Sequence, residues 1–250
     1  MKRRILLSAI VIARNEAKRL EGCLQSLSWA DECIVIDNAS TDETALIAKK
    51  CGAIVVNVRS NNFSLLRNNG AKAAHGIWLL YVDADELVPP PLREEIMSEI
   101  TGEHASRAYF IPRQNYYLGL LWPSRDGMVR LIRNDALSQW DGVLHEHAVV
   151  HGPISTLRNC FIHKTHRTLE EMVDKTNKWS ALEAELRFKS HHPLISWWRL
   201  LRVMMTAFFD SFIRQGGWKA GTVGLIESIY QAFSMFITYA KLWELQKRTS

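Results

Sequence analysis

The sequence has no uncharged apolar run near the 18–20 residues or so that a membrane-spanning helix requires. The longest such run near its end, Ser228–Ala240, has 13 residues. It has no glycine-rich phosphate loop of the G-x-x-x-x-G-K or G-x-G-x-x-G type, so backbone amides of such a loop are not available to hold a diphosphate. Cysteine is scarce: Cys23, Cys33, Cys51 and Cys160 form no C-x-x-C pair. That spacing argues against a zinc ribbon or a dithiol centre and reads as reduced packing residues in a cytosolic chain. The basic start, Met1-Lys2-Arg3-Arg4 before Ile5–Ile12, mimics a secretory leader. Arg14 and Glu16 interrupt it and no small-residue cleavage site follows, so a first strand is expected instead. Internal repeats and low-complexity tracts are also absent.

What is present is an ordinary globular composition, 47% apolar and 23% charged over 250 residues. That is enough chain for one large domain, or one domain with an appendage. Net charge is +5, unevenly placed. From Arg187 to Lys219 there are six Lys/Arg and one acid, Asp210, which points to an anionic partner for this part of the chain.

The first 90 residues alternate. Ile5–Ile12, Cys33–Asp37, Ala53–Val58 and Ile77–Asp83 read as strands; Glu16–Leu27, Asp42–Cys51 and Ser64–Ala74 read as helices. This is the pattern of βαβ units and a mostly parallel, Rossmann-like sheet between helices. Leu92–Ile100 reads as a further helix after three prolines. Ala108–Pro112 and Met128–Arg133 read as strands joined by a long aromatic loop, Arg113–Gly127. Thr168–Phe188 reads as a helix rich in Glu and Lys. After His191-His192-Pro193 the chain becomes dense in Trp, Phe, Met and Leu, with helical segments over Leu194–Ile213 and Val223–Leu245. The expected division is a catalytic α/β domain over 1–167 and an amphipathic helical extension over 168–250.

The chemistry concentrates at strand ends. Leu79-Leu80-Tyr81-Val82 runs into Asp83, Asp85 and Glu86. Ligands of open α/β sheets bind at the carboxyl ends of strands. In an extended chain Asp83 and Asp85 project to one side and could hold Mg²⁺ or Mn²⁺, which could bridge a diphosphate. A solvated turn before the prolines is the plainer alternative. Asp37 ends the second strand, where a carboxylate can accept bonds from a ribose or base. Asp42 is divided between that role and a helix cap. Arg14, just past the first strand, could reach a phosphate. Arg67 and Asn68 sit on the third helix, where a solvated face is the plain alternative.

Four segments together carry a resemblance. They are Ser8-Ala9-Ile10-Val11-Ile12-Ala13-Arg14-Asn15-Glu16, Val35-Ile36-Asp37-Asn38-Ala39-Ser40-Thr41-Asp42, Arg67-Asn68-Asn69-Gly70-Ala71, and Trp78–Glu86. Their order and spacing resemble the inverting GT-A glycosyltransferases of family 2, over about the first 165 residues. Trp140-Asp141-Gly142-Val143-Leu144-His145-Glu146 resembles the W-x-G-x-x-H-E pattern of a bacterial branch that builds the lipopolysaccharide inner core, and Trp218–Glu244 resembles that branch's tail. The resemblance implies a GT-A fold and a nucleotide-diphosphate sugar donor. It implies that Ala13, Arg14, Glu16, Asp37, Arg67, Asp83 and Arg130 line the nucleotide site. It implies Mg²⁺ or Mn²⁺ on Asp85 and Asp83, with His163 as third ligand and His166 its competitor. Inversion needs a general base; Glu146 is assigned, with Asp126 as runner-up. Arg130 and Arg133 would bind phosphate or position the acceptor. No Gln-x-x-Arg-Trp motif of processive synthases is present, which argues for transfer of a single sugar.

The expected activity is therefore transfer of one hexose, glucose from UDP-glucose foremost, to a lipid-linked acceptor such as the lipopolysaccharide inner core. The expected place is the cytoplasmic face of the inner membrane, reached peripherally. Polyprenyl phosphate or another envelope glycan is the alternative acceptor. A nucleotide- or nucleic-acid-binding protein is the rival class, disfavoured because it has no use for Asp83, Asp85 and Glu146. The closing helices, with Trp197, Trp198, Arg199 and Arg202, fit a membrane interface or else an interface with a second copy of the chain.

Overall fold

The computed structural model describes residues 4–102, 106–143, 146–165 and 168–248. They form two compact units, Met1–Gln114 with Asp126–His163, and Asn115–Arg125 with Lys164–Ser250.

The first unit opens with the alternation read from the sequence. Strands β1 (Leu7–Ala13), β2 (Glu32–Asp37), β3 (Ile54–Asn57) and β4 (Trp78–Asp83) alternate with helices α1 (Ala17–Ser26), α2 (Thr44–Lys50) and α3 (Phe63–Ala73). They form a parallel sheet in the order β3-β2-β1-β4. β1 lies inside it and all seven of its residues are buried, which is why its sequence is a continuous apolar run. Parallel register aligns Ala13 with Asp37 and Ile12 with Asp83, so these residues share one sheet edge.

Helix α3 lies unusually close to β1. A Cβ on Gly70 would fall 2.4 Å from Ile10 Cγ2, so only glycine permits the approach. Ser64, Arg67 and Gly70, spaced three apart, are all buried and form the face turned to the sheet.

Beyond β4 the chain continues through β5 (Glu86–Leu87), α4 (Pro90–Thr101), β6 (Ala108–Tyr117), β7 (Leu120–Arg133), β8 (Leu137–Asp141), β9 (His147–Val150), β10 (Ile154–Thr156) and β11 (Phe161–Thr165). The sheet extends β4-β7-β6-β11-β5, with β10 beside β6, while β8 and β9 pair apart. β7 runs antiparallel to β4, and β11 antiparallel to β5 with His163 opposite Glu86. The long loop expected over Arg113–Gly127 does not exist: both strands continue through it to a tight turn. Leu118 (φ 47°) and Gly119 (φ 81°) make that turn. Two successive positive φ values belong to a two-residue hairpin connection of the kind that matches strand twist.

The second unit contains α5 (Leu169–Lys189), α6 (Trp197–Phe209), a π turn (Asp210–Arg214) and α7 (Gly221–Arg248). Thr168 caps α5 by accepting the Glu171 N–H at 3.1 Å. Ala184, Ile195, Val203, Tyr239 and Leu242 form its own core. A Cβ on Gly224 would fall 1.7 Å from the Gly217 carbonyl oxygen, so the two backbones touch. Trp122, from the hairpin tip, donates its indole N–H to Gln215 Oε1 at 3.2 Å. Among the described residues no helix is long and apolar enough to cross a membrane.

Candidate active site

The loops after β1 and β2 are tied to each other. Asn15 and Ala39 both take positive φ, 56° and 52°; asparagine tolerates this, while alanine there is strained. Asn15 Oδ1 accepts the Thr41 N–H at 2.8 Å, and Ser40 Oγ accepts the Asn15 N–H at 3.0 Å. Asp42 accepts the N–H groups of Ala17 (3.2 Å) and Thr44 (3.0 Å). Desolvation raises its proton affinity, but the hydrogen bonds from Thr44 and Ala17 prevail and lower its pKa. Asp42 thus joins the starts of two helices. Asp37 is buried, with Oδ1 accepting the Ser40 N–H at 3.3 Å. Ala13 beside it receives the Asn38 N–H on its carbonyl at 2.9 Å. Arg14 is exposed and makes no ion pair among the described residues, whereas Glu16 pairs with Arg19 at 2.8 Å.

The carboxyl end of β4 carries a chain of alternating charges. Arg67 donates through Nε (2.9 Å) and Nη2 (2.8 Å) to Glu146 Oε1, and through Nη2 to Asp83 Oδ1 (3.1 Å). Arg130 meets Asp83 at 2.6 Å and Glu86 at 3.6 Å. Arg113 meets Glu86 at 3.3 Å and grips Asp126 with a two-pronged bond, 2.8 and 2.7 Å. The chain therefore runs Glu146–Arg67–Asp83–Arg130–Glu86–Arg113–Asp126. Its ends are the two carboxylates considered as base. They differ: Asp126 has both oxygens on Arg113, while Glu146 offers only Oε1 to Arg67. Among the described residues Glu146 Oε2 accepts no hydrogen bond.

Burial explains the electrostatics. Desolvation pushes the Asp83 carboxyl up, but the guanidinium groups of Arg130, Arg67 and Arg113 outweigh it and hold Asp83 well below the usual carboxylate range. Glu86 is fully buried, and desolvation prevails there over Arg130, so its pKa is raised. Arg113 and Arg130 are raised by the carboxylates around them, against desolvation.

Arg67 is 2% exposed, which excludes a solvated helix face. Its guanidinium carbon lies 4.8 Å from the Trp140 ring centroid and 5.9 Å from that of Tyr81. Asn68 fixes the tryptophan, donating to the Trp140 carbonyl at 3.0 Å and accepting its N–H at 2.8 Å. Arg67 Nη1, Tyr81 Oη and Trp140 Nε1 are buried without a hydrogen-bond partner among the described residues.

Asp83 and Asp85 do not share one side of an extended strand, as the sequence reading assumed. β4 ends at Asp83, and Ala84 and Asp85 form a turn. Asp83 faces arginines, while Asp85 Oδ2 lies 3.1 Å from His163 Nε2. His163 reaches it because β11 pairs with β5. The carboxylate is a ligand type suited to Mg²⁺ or Mn²⁺, which commonly take one or two protein ligands and fill the rest with water and phosphate; the imidazole is a ligand type of softer transition metals. No group of three His, Cys, Asp or Glu side chains suited to a metal occurs among the described residues. His166 lies outside the described residues, as does His145. Arg133 pairs with Asp135 at 2.9 Å. The sequence reading quoted Glu86 among the strand-end carboxylates, Trp140 at the start of a motif and Arg113 at the start of a loop, and gave none of the three a role of its own.

Comparisons with known proteins bear on the family and the fold. The family profile described as Glycosyl transferase family 2 matches residues 8–159. An uncharacterized glycosyltransferase of Rickettsia prowazekii is 28% identical over 97% of this chain and 88% of its own length. The lipopolysaccharide core biosynthesis glycosyltransferase LpsC of Rhizobium meliloti is 26% identical over 95% of this chain and 92% of its own. Among solved structures, S. aureus TarS 1-349 in complex with UDP-GlcNAc superposes with a TM-score of 0.51 at 16% identity, covering 98% of this chain and 93% of that one. That likeness concerns the fold, which is GT-A. With a profile match spanning well over half its length and that fold, the chain belongs to glycosyl transferase family 2.

Proposed function

We propose that the protein is an inverting, metal-dependent hexosyltransferase. It moves a single sugar, glucose from UDP-glucose foremost, onto a lipid-linked acceptor such as the lipopolysaccharide inner core. What supports this reading is Asp37 at the end of β2, Asp85 in the turn after β4 and 3.1 Å from His163, and Glu146 held through one oxygen by Arg67. In this reading residues 1–167 bind the donor and perform the transfer, and residues 168–250 serve the membrane surface.

The roles follow from the contacts. Ala13 and Asp37 line the base and ribose. Arg14, exposed and unpaired among the described residues, meets the diphosphate. Glu16 completes the loop that carries Arg14. Asp85 and His163 would hold the divalent ion, whose charge would offset that of the diphosphate leaving group. Arg130 and Arg67 keep Asp83 ionised, and its charge would act on the donor and on a bound ion. Glu146 takes the acceptor hydroxyl's proton at Oε2 while Arg67 holds Oε1, and the oxygen attacks the anomeric carbon opposite the diphosphate. Asp126 is the runner-up, held back because Arg113 occupies both of its oxygens.

The helices of residues 168–250 would place the enzyme peripherally on the cytoplasmic face of the inner membrane, where a lipid-linked acceptor lies. The test is a product assay with a panel of nucleotide sugars and lipid-linked acceptors. Transfer of one hexose from a UDP-sugar supports the reading. Transfer of many sugars per acceptor, or none from any UDP-sugar, overturns it.

A further inference from the structure

The second unit contains a groove of about 580 Å³ that the catalytic reading does not use. It lies between α6 with its π turn and α7, and Arg202, Val203, Ala207, Arg214, Met235 and Tyr239 are among its walls. Apolar Val203, Ala207 and Met235 alternate in its lining with polar Thr206 and Gln231, and Arg202 and Arg214 add guanidinium groups. Arg202 makes no ion pair among the described residues and sits over the Trp198 ring, 5.5 Å from its centroid. Arg214 pairs with Asp210 at 2.6 Å through Nε, which leaves its Nη donors available. Asp210, the one acid of the groove, is also bound by Gln215 at 2.8 Å. Two guanidinium groups against one neutralised carboxylate leave a net positive site. Guanidinium is well matched to phosphate oxygens.

Beside the groove α6 exposes a ridge of Trp197 (75%), Leu201 (55%), Met205 (53%) and Phe209 (50%). These residues recur every four positions and so form one row along the helix. Phe209 meets the ring of its neighbour Phe208, 5.6 Å between centroids, and the row runs beside Arg202 of the charged groove. An amphipathic helix of this kind lies in a bilayer interface with its basic residues at headgroup level. The π turn at Asp210–Arg214 is the irregularity that carries Arg214 at the groove's end; such bulges are frequent at ligand sites.

We propose that this groove binds the phosphate of an anionic membrane phospholipid, with the α6 ridge seated among its acyl chains. The proposal rests on the membrane-surface reading of residues 168–250 and deepens it by naming a site. The headgroup phosphate lies against the exposed guanidinium of Arg202, while Arg214, about three turns farther along the helix, adds positive potential at the other end of the groove, and the chains leave along Trp197, Leu201 and Met205.

The test uses the full chain and two variants. Arg202→Gln removes an exposed charge, and Ala207→Trp fills the groove without changing charge. Circular dichroism and thermal midpoint confirm that each folds. Co-sedimentation is measured with vesicles of phosphatidylcholine alone and with 30% phosphatidylglycerol, and calorimetry with monomeric dihexanoyl phosphatidylglycerol. Expected are a preference for the anionic vesicles, roughly fivefold loss of it per charge removed, and saturable short-chain lipid binding that Ala207→Trp abolishes. If vesicles bind but neither variant changes the preference, the groove site is wrong while membrane docking stands. If no vesicle of either composition binds, docking fails and the site with it. If inorganic phosphate displaces the short-chain lipid at equal concentration, the site takes free phosphate and the lipid assignment is overturned. Should Ala207→Trp not fold, Arg202→Gln decides alone.

Discussion

Replacing Arg67 with methionine removes the cation that bridges Glu146 and Asp83 while keeping an unbranched side chain of similar reach. The guanidinium is 2% exposed and Glu146 is 9% exposed at its side chain, so solvent screens the pair little. Three N–H bonds are lost, at 2.9 and 2.8 Å to Glu146 and 3.1 Å to Asp83. Asp83 keeps Arg130 at 2.6 Å; Glu146 keeps no cation among the described residues. The cost is therefore that of stranding one nearly buried carboxylate, about 3–5 kcal/mol. The lost contact with Trp140 adds about 0.5–2 kcal/mol. Adding Glu146→Gln removes the stranded charge and should restore about 1–3 kcal/mol. Denaturant unfolding followed by circular dichroism measures both. A single variant that loses less than about 1 kcal/mol, or a double variant no more stable than the single, refutes the reasoning.

Other outcomes follow from the same contacts. Glu146→Gln, which cannot accept the proton, should lower turnover by roughly 10²–10⁴ with donor affinity intact; if Asp126→Asn does this and Glu146→Gln does not, the base is Asp126. Asp83 has a depressed folded pKa, so its stabilising effect is present above the ordinary aspartate value of about 3.9 and is lost as pH falls through the lower folded value. The stability gap between the protein and Asp83→Asn should accordingly narrow below about pH 4 in unfolding titrations; a gap independent of pH would count against the ion-pair chain.

Much of the first unit was legible because parallel βαβ units write themselves as apolar runs alternating with amphipathic ones. Ile10, Val35 and Leu80 lie in such runs, and each is fully buried. The β6–β7 hairpin was not legible, because Pro112, Pro123 and the aromatic residues between them resemble a loop. The two-residue turn depends on Leu118 adopting a positive φ that its residue type does not favour. Strand-end carboxylates were visible as residue types, but their partners were not. Asp83 was read as sharing one side of the strand with Asp85, and the turn at Ala84 instead gives it to Arg130. Arg67 could have been placed inward: Ser64 and Gly70 share its helix face, and small residues at that spacing signal close approach. Arg113 and Glu86 lie on β6 and β5, which both pair with the later strand β11, a juxtaposition no local pattern carries. The exposed aromatic ridge of α6 was visible in composition, whereas the groove beside it depends on how α6 and α7 pack.

The central claim is a divalent ion held by Asp85 and His163 for a UDP-sugar. Calorimetric titration of UDP-glucose into the full chain, with Mn²⁺ and then with excess chelator, tests it most directly. The account predicts binding that chelator abolishes, and that Asp85→Ala loses while keeping the thermal midpoint. Equal binding with and without the metal, or unchanged binding by Asp85→Ala, would contradict it.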